Sequence, residues 1–276
     1  MISRPDQELS ETGVFRIKDF QGSGFKLTFL GSGSAFTLGD DNYQSNLLLE
    51  APSGKKLLID CGSDVRFPLH KMGVKATDLD AVYISHLHAD HIGGLEWLAF
   101  STKFTPGAAK PKLIASESLI GPLWSTSLSG GLGSLEGVIA TIETFFELHP
   151  VDSVGRFVWE GIPFQMVQVV HFFDGFKFSP SFGLLFTIGG KTIFFTTDTQ
   201  FAPNQLKVFI QMADIVFHDC ETGFKSGVHA HYTDLVTLPA ETKAKMWLYH
   251  YQPKPQQDPI ADGFLGFVKQ GQVFNF

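Results

Sequence analysis

The stretch "DAVYISHLHADH" (residues 80–91) decides how the rest of the chain is interpreted. Its apolar first half predicts a buried strand, and its second half places three histidines and an aspartate within six positions. Side chains two apart in extended backbone point the same way, so His86 and His88 can bind one ion. Asp90 and His91 follow where a helix is expected to begin, and the turn directs them at a neighbouring point. Because imidazole and carboxylate are zinc ligands, the stretch predicts a catalytic metal site.

Polar residues also end most of the other predicted strands. Short apolar runs predict strands at 25–30, 46–50, 56–60, 81–85, 164–170, 182–188, 191–197, 214–218 and 246–250, and helical patterns fall at 64–73, 91–100, 138–147 and 203–212. The polar residues at or just past strand ends are Asp60, His86, His171, Asp198, His218 and His250. Layered α/β folds collect their chemistry at strand ends, so we expect one constellation.

Composition limits the class of protein. The chain has 276 residues, 43% of them hydrophobic, which is enough for one large domain or two small ones. Residues 1–24 read as an N-terminal extension, and residues 25–276 show no break and predict a single domain. Only two cysteines occur, and no apolar run resembles a secretory signal or a membrane span, so we expect a cytoplasmic protein. The net charge of −7 argues against an extended nucleic acid as partner.

The motif "HLHADH" matches the HxHxDH signature of the metallo-β-lactamase superfamily, and the resemblance extends across nearly the whole chain from residue 25. It implies a four-layered αβ/βα sandwich with two divalent metal ions, zinc first, with manganese or iron also compatible. The implied ligands are His86, His88 and His171 for one ion, Asp90, His91 and His250 for the other, and Asp198 in "FFTTDTQ" as the bridge. Many β-lactamases carry cysteine in place of Asp198, so antibiotic hydrolysis is not expected.

Three further segments resemble the ribonuclease Z-like branch of this superfamily, which includes cyclic-nucleotide phosphodiesterases. They are "FLGSGSAF" (29–36), "LLIDCGSDVRFPLHKMG" (57–73) and "DIVFHDCETGFKSGVHAHYTDL" (214–235). In that branch a histidine in the last segment protonates the leaving oxygen, a role that suits a pKa near neutrality. We predict His231 for this role and His229 as the second choice, with Asp90 completing the predicted catalytic set. His218, Asp219 and Glu221 are expected to orient ligands.

The choice of substrate depends on charge. Ribonuclease Z-like tRNA enzymes use a basic arm, but residues 101–160 hold four basic residues against six acidic ones. The glycine-rich stretch "LWSTSLSGGLGSLEG" (123–137) stands there instead and is interpreted as a mobile lid or a surface loop. A small phosphodiester is therefore favoured. A tRNA 3′-endonuclease, a lactonase or thioesterase of the same fold, and a ligand-binding protein without activity remain alternatives.

The stretches "SLSGGLGSLEG", "GVHAHYTDL", "KMWLYHYQ" and "DGFLGFV" resemble the phage anti-Pycsar phosphodiesterases. This resemblance implies hydrolysis of 3′,5′-cyclic mononucleotides, such as cCMP and cUMP, to linear nucleotides in the cytoplasm of a host cell. It also implies an effect against host antiphage signalling, and a homodimer in which each active site receives residues from the second subunit. The phenylalanine-rich run 171–186 is expected to line a pocket or an intersubunit contact.

Overall fold

Two β-sheets lie face to face in the computed structural model, which describes residues 14–15, 23–38 and 41–276. The first sheet runs in the order β1-β17-β2-β3-β4-β5-β6-β9, and β4, β5, β6 and β9 are parallel. Its strands are β1 (Val14–Phe15), β2 (Lys26–Phe29), β3 (Leu47–Glu50), β4 (Lys56–Ile59), β5 (Ala81–Ile84), β6 (Lys112–Ser116), β9 (Glu147–Val151) and β17 (Val273–Asn275).

The second sheet runs in the order β10-β11-β12-β13-β14-β15-β16, and its last four strands are parallel. Its strands are β10 (Arg156–Trp159), β11 (Ile162–Phe173), β12 (Phe178–Ile188), β13 (Lys191–Phe195), β14 (Ile215–Asp219), β15 (Met246–Tyr249) and β16 (Gly266–Phe267). A separate hairpin pairs β7 (Ser134–Leu135) with β8 (Val138–Ile139).

Helices cover the outer faces of both sheets. The first sheet carries α1 (Arg66–Lys71), α2 (Ala89–Ile92), α3 (Leu95–Lys103), α4 (Glu117–Pro122) and α5 (Ser129–Leu132), and the C-terminal half adds α6 (Pro203–Met212), α7 (Tyr232–Leu235) and α8 (Ala240–Lys243). One buried cluster fills the space between the sheets, and two others join each sheet to its helices. The predicted four-layered αβ/βα sandwich is therefore confirmed. No helix among the described residues is both long and apolar enough to cross a bilayer.

Aromatic side chains join the two sheets. The ring centroid of Phe29, from the first sheet, lies 5.0 Å from that of Phe217 and 5.9 Å from that of Tyr249, both from the second sheet. Aromatic rings at these separations attract one another beyond the effect of burial alone. This packing fixes the relative position of the parallel strands β4, β5, β13, β14 and β15, whose carboxyl ends carry most of the predicted site.

Two regions assigned from the sequence differ from the expectation, and strands β6, β9, β10, β16 and β17 were not predicted from it. The predicted helix at 138–147 is wrong, because Val138–Ile139 is a strand of the small hairpin and only one 3₁₀ turn follows, at Ile142–Thr144. Ile142, Phe145 and Phe146 are buried at helical spacing, but Val138 and Ile139 are exposed and cannot extend that face. In addition, the stretch at 123–137 is not simply a loop. A π-helical turn (Leu123–Leu128) and α5 occupy its first ten residues and bury their leucines.

The predicted extension 1–24 lies mostly outside the described residues. Within it, Val14–Phe15 pairs in parallel with β17 at Val273 and Phe274.

Candidate metal centre

The seven predicted metal ligands lie together at one edge of the two sheets. Among them, two groups have all their potential ligand atoms within 4.8 Å of one another: His86, His88, His171 and Asp198 form the first, and Asp90, His91, Asp198 and His250 form the second. A third group of this kind joins Asp198 and His250 to Asp219 and His229, which are not among the seven. Asp198 belongs to all three groups. Its Oδ2 atom lies 3.7 Å and 3.8 Å from Nε2 of His86 and His171, and 3.2 Å and 3.4 Å from Nε2 of His91 and His250. One carboxylate thus faces two histidines of the first group and two of the second.

The central motif places its four side chains as its spacing predicts. Strand β5 ends at Ile84, and extended backbone continues through His88, which precedes the first residue of α2. Asp90 and His91 then lie in the single turn of α2. Nε2 of His86 is 3.1 Å from Nδ1 of His88, and Oδ2 of Asp90 is 3.2 Å from Nε2 of both His91 and His250.

A β-bulge directs His171 into the site. The pairing of β11 with β12 shifts register between Val170 and Phe172, which leaves His171 as the extra residue. Such a bulge turns a side chain relative to the regular alternation of a strand. His171 is fully buried, and its Nε2 atom lies 3.1 Å from Nδ1 of His88. The sequence pattern gave the strand but not the bulge.

Three polar residues that follow strands have positive φ angles. Asp60, Thr197 and His250 have φ angles of 62°, 56° and 64° and follow β4, β13 and β15. Non-glycine residues rarely adopt this left-handed conformation, and for a β-branched threonine it is a genuine outlier. Strained residues of this kind cluster at functional sites.

Hydrogen bonds to the second ring nitrogen orient several of the candidate ligands. Nδ1 of His91 lies 2.7 Å from Oδ2 of Asp60, and Nδ1 of His171 lies 2.9 Å from the carbonyl oxygen of Val228. Asp60 in turn accepts hydrogen bonds from the backbone N–H and the hydroxyl of Ser85. Partners of this type set the tautomer and the orientation of a metal-binding imidazole. The sequence marked Asp60 as a strand-end residue but assigned it no contact with His91.

Electrostatics divides the histidines into two sets. Burial lowers the pKa of His86 and of His88 and lowers that of His171 to about 4, so these rings are neutral and offer lone pairs. For His91 and His250 burial also lowers the pKa, but the carboxylate of Asp198 and its neighbours outweigh burial and raise it. Without an ion, positive charge on these two histidines balances the buried carboxylates.

The donor set fits divalent cations. Oδ1 of Asp198 is a buried atom that makes no hydrogen bond to any described residue, and Oδ1 of Asp219 and Nδ1 of His250, which also lack one, lie 3.5 Å from each other. Buried polar atoms without a partner are rare and call for an explanation. Imidazole nitrogens that converge on a shared carboxylate suit zinc, manganese or iron. The described residues therefore fit two adjacent cations better than they fit a closed hydrogen-bond network.

The two histidines of "HAHYT" point to different places. Nδ1 of His229 lies 2.8 Å from Oδ2 of Asp219, and its ring stacks on His250 with centroids 4.7 Å apart. His231 instead caps α7: its Nδ1 lies 2.8 Å from Oγ1 of Thr233, and its Nε2 donates to the carbonyl oxygen of Gly223 at 3.0 Å. His231 therefore lies in the cap of α7 and His229 lies beside the candidate ligands, and which of the two donates a proton stays a prediction.

Of the three residues expected to orient ligands, His218, Asp219 and Glu221, only Asp219 contacts the cluster. Asp219 contacts His229 and lies 3.5 Å from Nδ1 of His250. Glu221 accepts the backbone N–H of Ser226 and so holds the loop rather than the site. His218 is buried, and its Nδ1 lies 2.7 Å from the carbonyl oxygen of Asp219. Because side chains alternate along β14, Asp219 faces the cluster and His218 lies outside it, which corrects the expected constellation.

A profile of the family "Anti-Pycsar protein Apyc1" matches residues 25–274 of the chain. The chain belongs to the Anti-Pycsar protein Apyc1 family. It is 34% identical over 256 residues to an Anti-Pycsar protein Apyc1 of Bacillus phage vB_BveM-Goe7. The aligned region covers 90% of this chain and 96% of that relative. It is 35% identical over 248 residues to the one of Paenibacillus harenae, with 88% and 96% covered.

Solved structures of the metallo-β-lactamase fold superpose on nearly the whole chain. The metallo-β-lactamase fold protein YhfI of Bacillus subtilis has a TM-score of 0.72 at 18% identity, with 92% of this chain and all of YhfI covered. A diphosphatase of the PhnP family has a TM-score of 0.69 at 23% identity, with 91% and 98% covered. The short form of human tRNase Z has a TM-score of 0.63 at 18% identity, with 90% and 98% covered. The chain therefore has the metallo-β-lactamase fold.

Proposed function

We propose that the protein is a metal-dependent phosphodiesterase that hydrolyses 3′,5′-cyclic mononucleotides to linear nucleotides. The observation that carries the proposal is the position of Asp198, whose Oδ2 atom lies within 4 Å of two histidines from each candidate ligand group. A carboxylate in that position suits a bridge between two cations. Membership of the Anti-Pycsar protein Apyc1 family supports the choice of a cyclic nucleotide.

His86, His88 and His171 would hold one ion, Asp90, His91 and His250 the other, and Asp198 both. Two bound divalent ions supply charge stabilisation for a phosphoryl group and lower the pKa of coordinated water. We infer zinc as the most suitable ion, because borderline ions accept both imidazole and carboxylate ligands, and manganese or iron would also fit. Asp60 keeps Nε2 of His91 directed at the site by binding Nδ1.

His229 is the proton donor in this proposal. A cyclic phosphodiester releases an alkoxide, which is a poor leaving group without a proton. Asp219 binds Nδ1 of His229 and leaves Nε2 to deliver the proton. Burial lowers the pKa of His229, but the charge and the hydrogen bond of Asp219 outweigh burial and raise it, which favours the protonated ring that a proton donor needs. A lactonase or thioesterase has no comparable need for this residue pair.

The surroundings favour a small substrate over tRNA. A cavity of about 290 Å³ opens beside His86 and His88, which is near the lower end of the range for small-molecule sites. The segment 101–160 carries more acidic than basic residues, so it offers little to a folded RNA. We infer that the physiological substrates are the cyclic nucleotides of host antiphage signalling, met in the host cytoplasm.

A homodimer is also part of the proposal. Ile139, the last residue of β8, is 91% exposed, and Phe176 at the tip of the β11–β12 hairpin is 95% exposed. Contiguous exposed apolar surface marks contact sites, and in the proposed dimer these two side chains belong to such a surface. Light scattering coupled to size exclusion should give twice the mass of one chain, and a monomer at all concentrations would contradict this part of the proposal.

The deciding experiment is turnover of a panel of 3′,5′- and 2′,3′-cyclic nucleotides beside a precursor tRNA. The protein should be loaded with zinc or manganese, and Asp198→Ala should serve as the inactive control. We expect hydrolysis of one or more 3′,5′-cyclic mononucleotides. Efficient cleavage of the tRNA with no cyclic mononucleotide consumed would reverse the proposal.

A further inference from the structure

The loop 221–231 follows strand β14, leads into helix α7 and carries His229. Five successive residues of this loop, 223–227, are exposed. Its second half nevertheless contacts the metal centre, since the carbonyl oxygen of Val228 binds Nδ1 of His171 at 2.9 Å. Exposed segments with few buried contacts open locally at little cost in free energy. The position of His229 therefore depends on how the start of the loop is held.

One side chain holds the start of this loop. Gln252 comes two residues after the predicted ligand His250, and its Oε1 atom accepts three hydrogen bonds from the loop. The donors are the backbone N–H of Thr222, the hydroxyl of Thr222 at 3.0 Å and the backbone N–H of Gly223 at 2.9 Å. The hydroxyl of Thr222 also accepts the backbone N–H of Gln252 at 3.1 Å. Farther along the same segment, Nε2 of Gln257 donates to the carbonyl oxygen of Thr222 at 2.9 Å.

The two ends of the loop are joined to each other. The backbone N–H of Glu221 donates to the carbonyl oxygen of Ala230 at 2.8 Å, and Nε2 of His231 lies 3.0 Å from the carbonyl oxygen of Gly223. Ala230 follows His229 directly along the chain. A displacement at the start of the loop is therefore transmitted to His229.

Resting on the proposed function, we propose that Gln252 is a positioning residue for the proton transfer. It ties the loop that carries His229 to the segment that carries His250, so the proposed proton donor and a predicted metal ligand keep a fixed separation. The rings of these two histidines stack with their centroids 4.7 Å apart. A misplacement of about 1 Å can cost about a hundredfold in rate, even when the substituted residue lies away from the reacting atoms.

The test compares Gln252→Met with Gln252→Glu. Methionine keeps the length of the side chain without a strong acceptor, whereas the carboxylate of glutamate can accept the same hydrogen bonds. The substrates are 3′,5′-cyclic UMP, whose leaving oxygen needs a proton, and bis(4-nitrophenyl) phosphate, whose leaving group does not. Gln252→Met should lower kcat for cyclic UMP by about 10–100-fold with little change in KM, and should lower turnover of the activated diester far less. Gln252→Glu should retain most of the activity.

Gln256→Met is the matched control. Gln256 is exposed, and its side chain donates to the carbonyl oxygen of Lys254 instead of binding the loop. This variant should match the wild type on both substrates. Metal content should stay at the wild-type value in Gln252→Met, because none of the seven predicted ligands is changed. Loss of an ion, equal losses on the two substrates, or full activity of Gln252→Met would each overturn the inference.

Amide hydrogen exchange gives a readout that does not depend on turnover. The amides of Thr222 and Gly223 should exchange faster in Gln252→Met than in the wild type, and unchanged exchange would contradict the hold on the loop. Thr222→Val removes the hydroxyl from the same contact and takes the same tests if Gln252→Met does not fold. A wild type that hydrolyses no cyclic nucleotide contradicts the proposed function. Hydrogen exchange then decides by itself whether Gln252 holds the loop.

Discussion

Nδ1 of His229 lies 2.8 Å from Oδ2 of Asp219. The same carboxylate oxygen accepts the backbone N–H of Thr199, one residue beyond Asp198, at 2.8 Å. Asp219 therefore links the loop that carries the proposed proton donor to the strand end that carries the bridging carboxylate. Any movement of one is transmitted to the other through two short hydrogen bonds.

His229→Ala should reduce turnover of a cyclic nucleotide by about 10²–10⁴-fold, the usual contribution of a general acid. The loss should be much smaller with bis(4-nitrophenyl) phosphate, because nitrophenolate leaves without a proton. The measurement is turnover of both substrates. His231→Ala is the matched control, since it removes an imidazole two residues away that caps α7 instead. Equal losses of His229→Ala on both substrates would leave His229 with a binding or structural role only.

Asp198→Ala should abolish retention of both ions, because one carboxylate faces both ligand groups. Its removal also leaves two cations facing each other with less screening. Metal analysis of protein purified without chelator should give about two ions per chain for the wild type and far less for the variant. Glu241→Ala on the exposed side of α8 should match the wild type. A single ion in active wild-type protein would rule out the two-metal arrangement.

Asp60→Asn should weaken binding of one ion by about 10–100-fold, the usual effect of losing the carboxylate behind a metal-binding imidazole. The carboxylate of Asp60 accepts from Nδ1–H of His91 and from the hydroxyl of Ser85. An asparagine amide is neutral, so it accepts these hydrogen bonds more weakly. Competition with a chromogenic chelator measures the affinity. Ser85→Ala removes the hydroxyl contacts to Oδ2 of Asp60 and to Nδ1 of His86 but leaves the carboxylate in place, so it should have a smaller effect. Unchanged affinity in Asp60→Asn would show that His91 needs no support from it.

Gly62→Ala should disturb the metal centre without changing any ligand. A Cβ atom at this position would lie 2.1 Å from the carbonyl oxygen of Asp90, so the turn that carries Asp90 must shift. We expect a lower melting temperature and weaker metal binding, measured by calorimetry and chelator competition. Gly121→Ala on α4 meets nothing within 4 Å and should be neutral or stabilising by about 0.5–1 kcal/mol. Wild-type metal affinity in Gly62→Ala would contradict this account.

The sequence predicts the parts of the site that depend on short-range periodicity. His86, His88, Asp90 and His91 lie within one strand end and one helical turn, where spacing alone determines direction. Asp198 and His250 follow the apolar strands β13 and β15, which are easy to recognise, and parallel strands deliver their ends to one edge. The helix at 203–212 was also predictable from periodicity, because its apolar residues recur at helical spacing.

The parts that were not predictable depend on long-range contacts. Which histidine of "HAHYT" faces the metals depends on where α7 begins and on the bridge between Glu221 and His231, and neither leaves a local signal. His218 and Asp219 are adjacent, and the strand's pairing with its neighbours decides which one faces the site. The bulge at His171 and the cavity beside His86 and His88 also arise only when the β11–β12 hairpin is placed against α4.

The left-handed backbone at Asp60, Thr197 and His250 has a consequence for the metal-free protein. Each such residue costs on the order of 1–3 kcal/mol, a cost that the surrounding packing must offset. Ligands that bind only the folded chain add their binding free energy to its stability. Metal loading and folding are therefore thermodynamically linked here. On this account the metal-free chain has the smaller free energy of unfolding, and its melting temperature should rise as divalent ions are added.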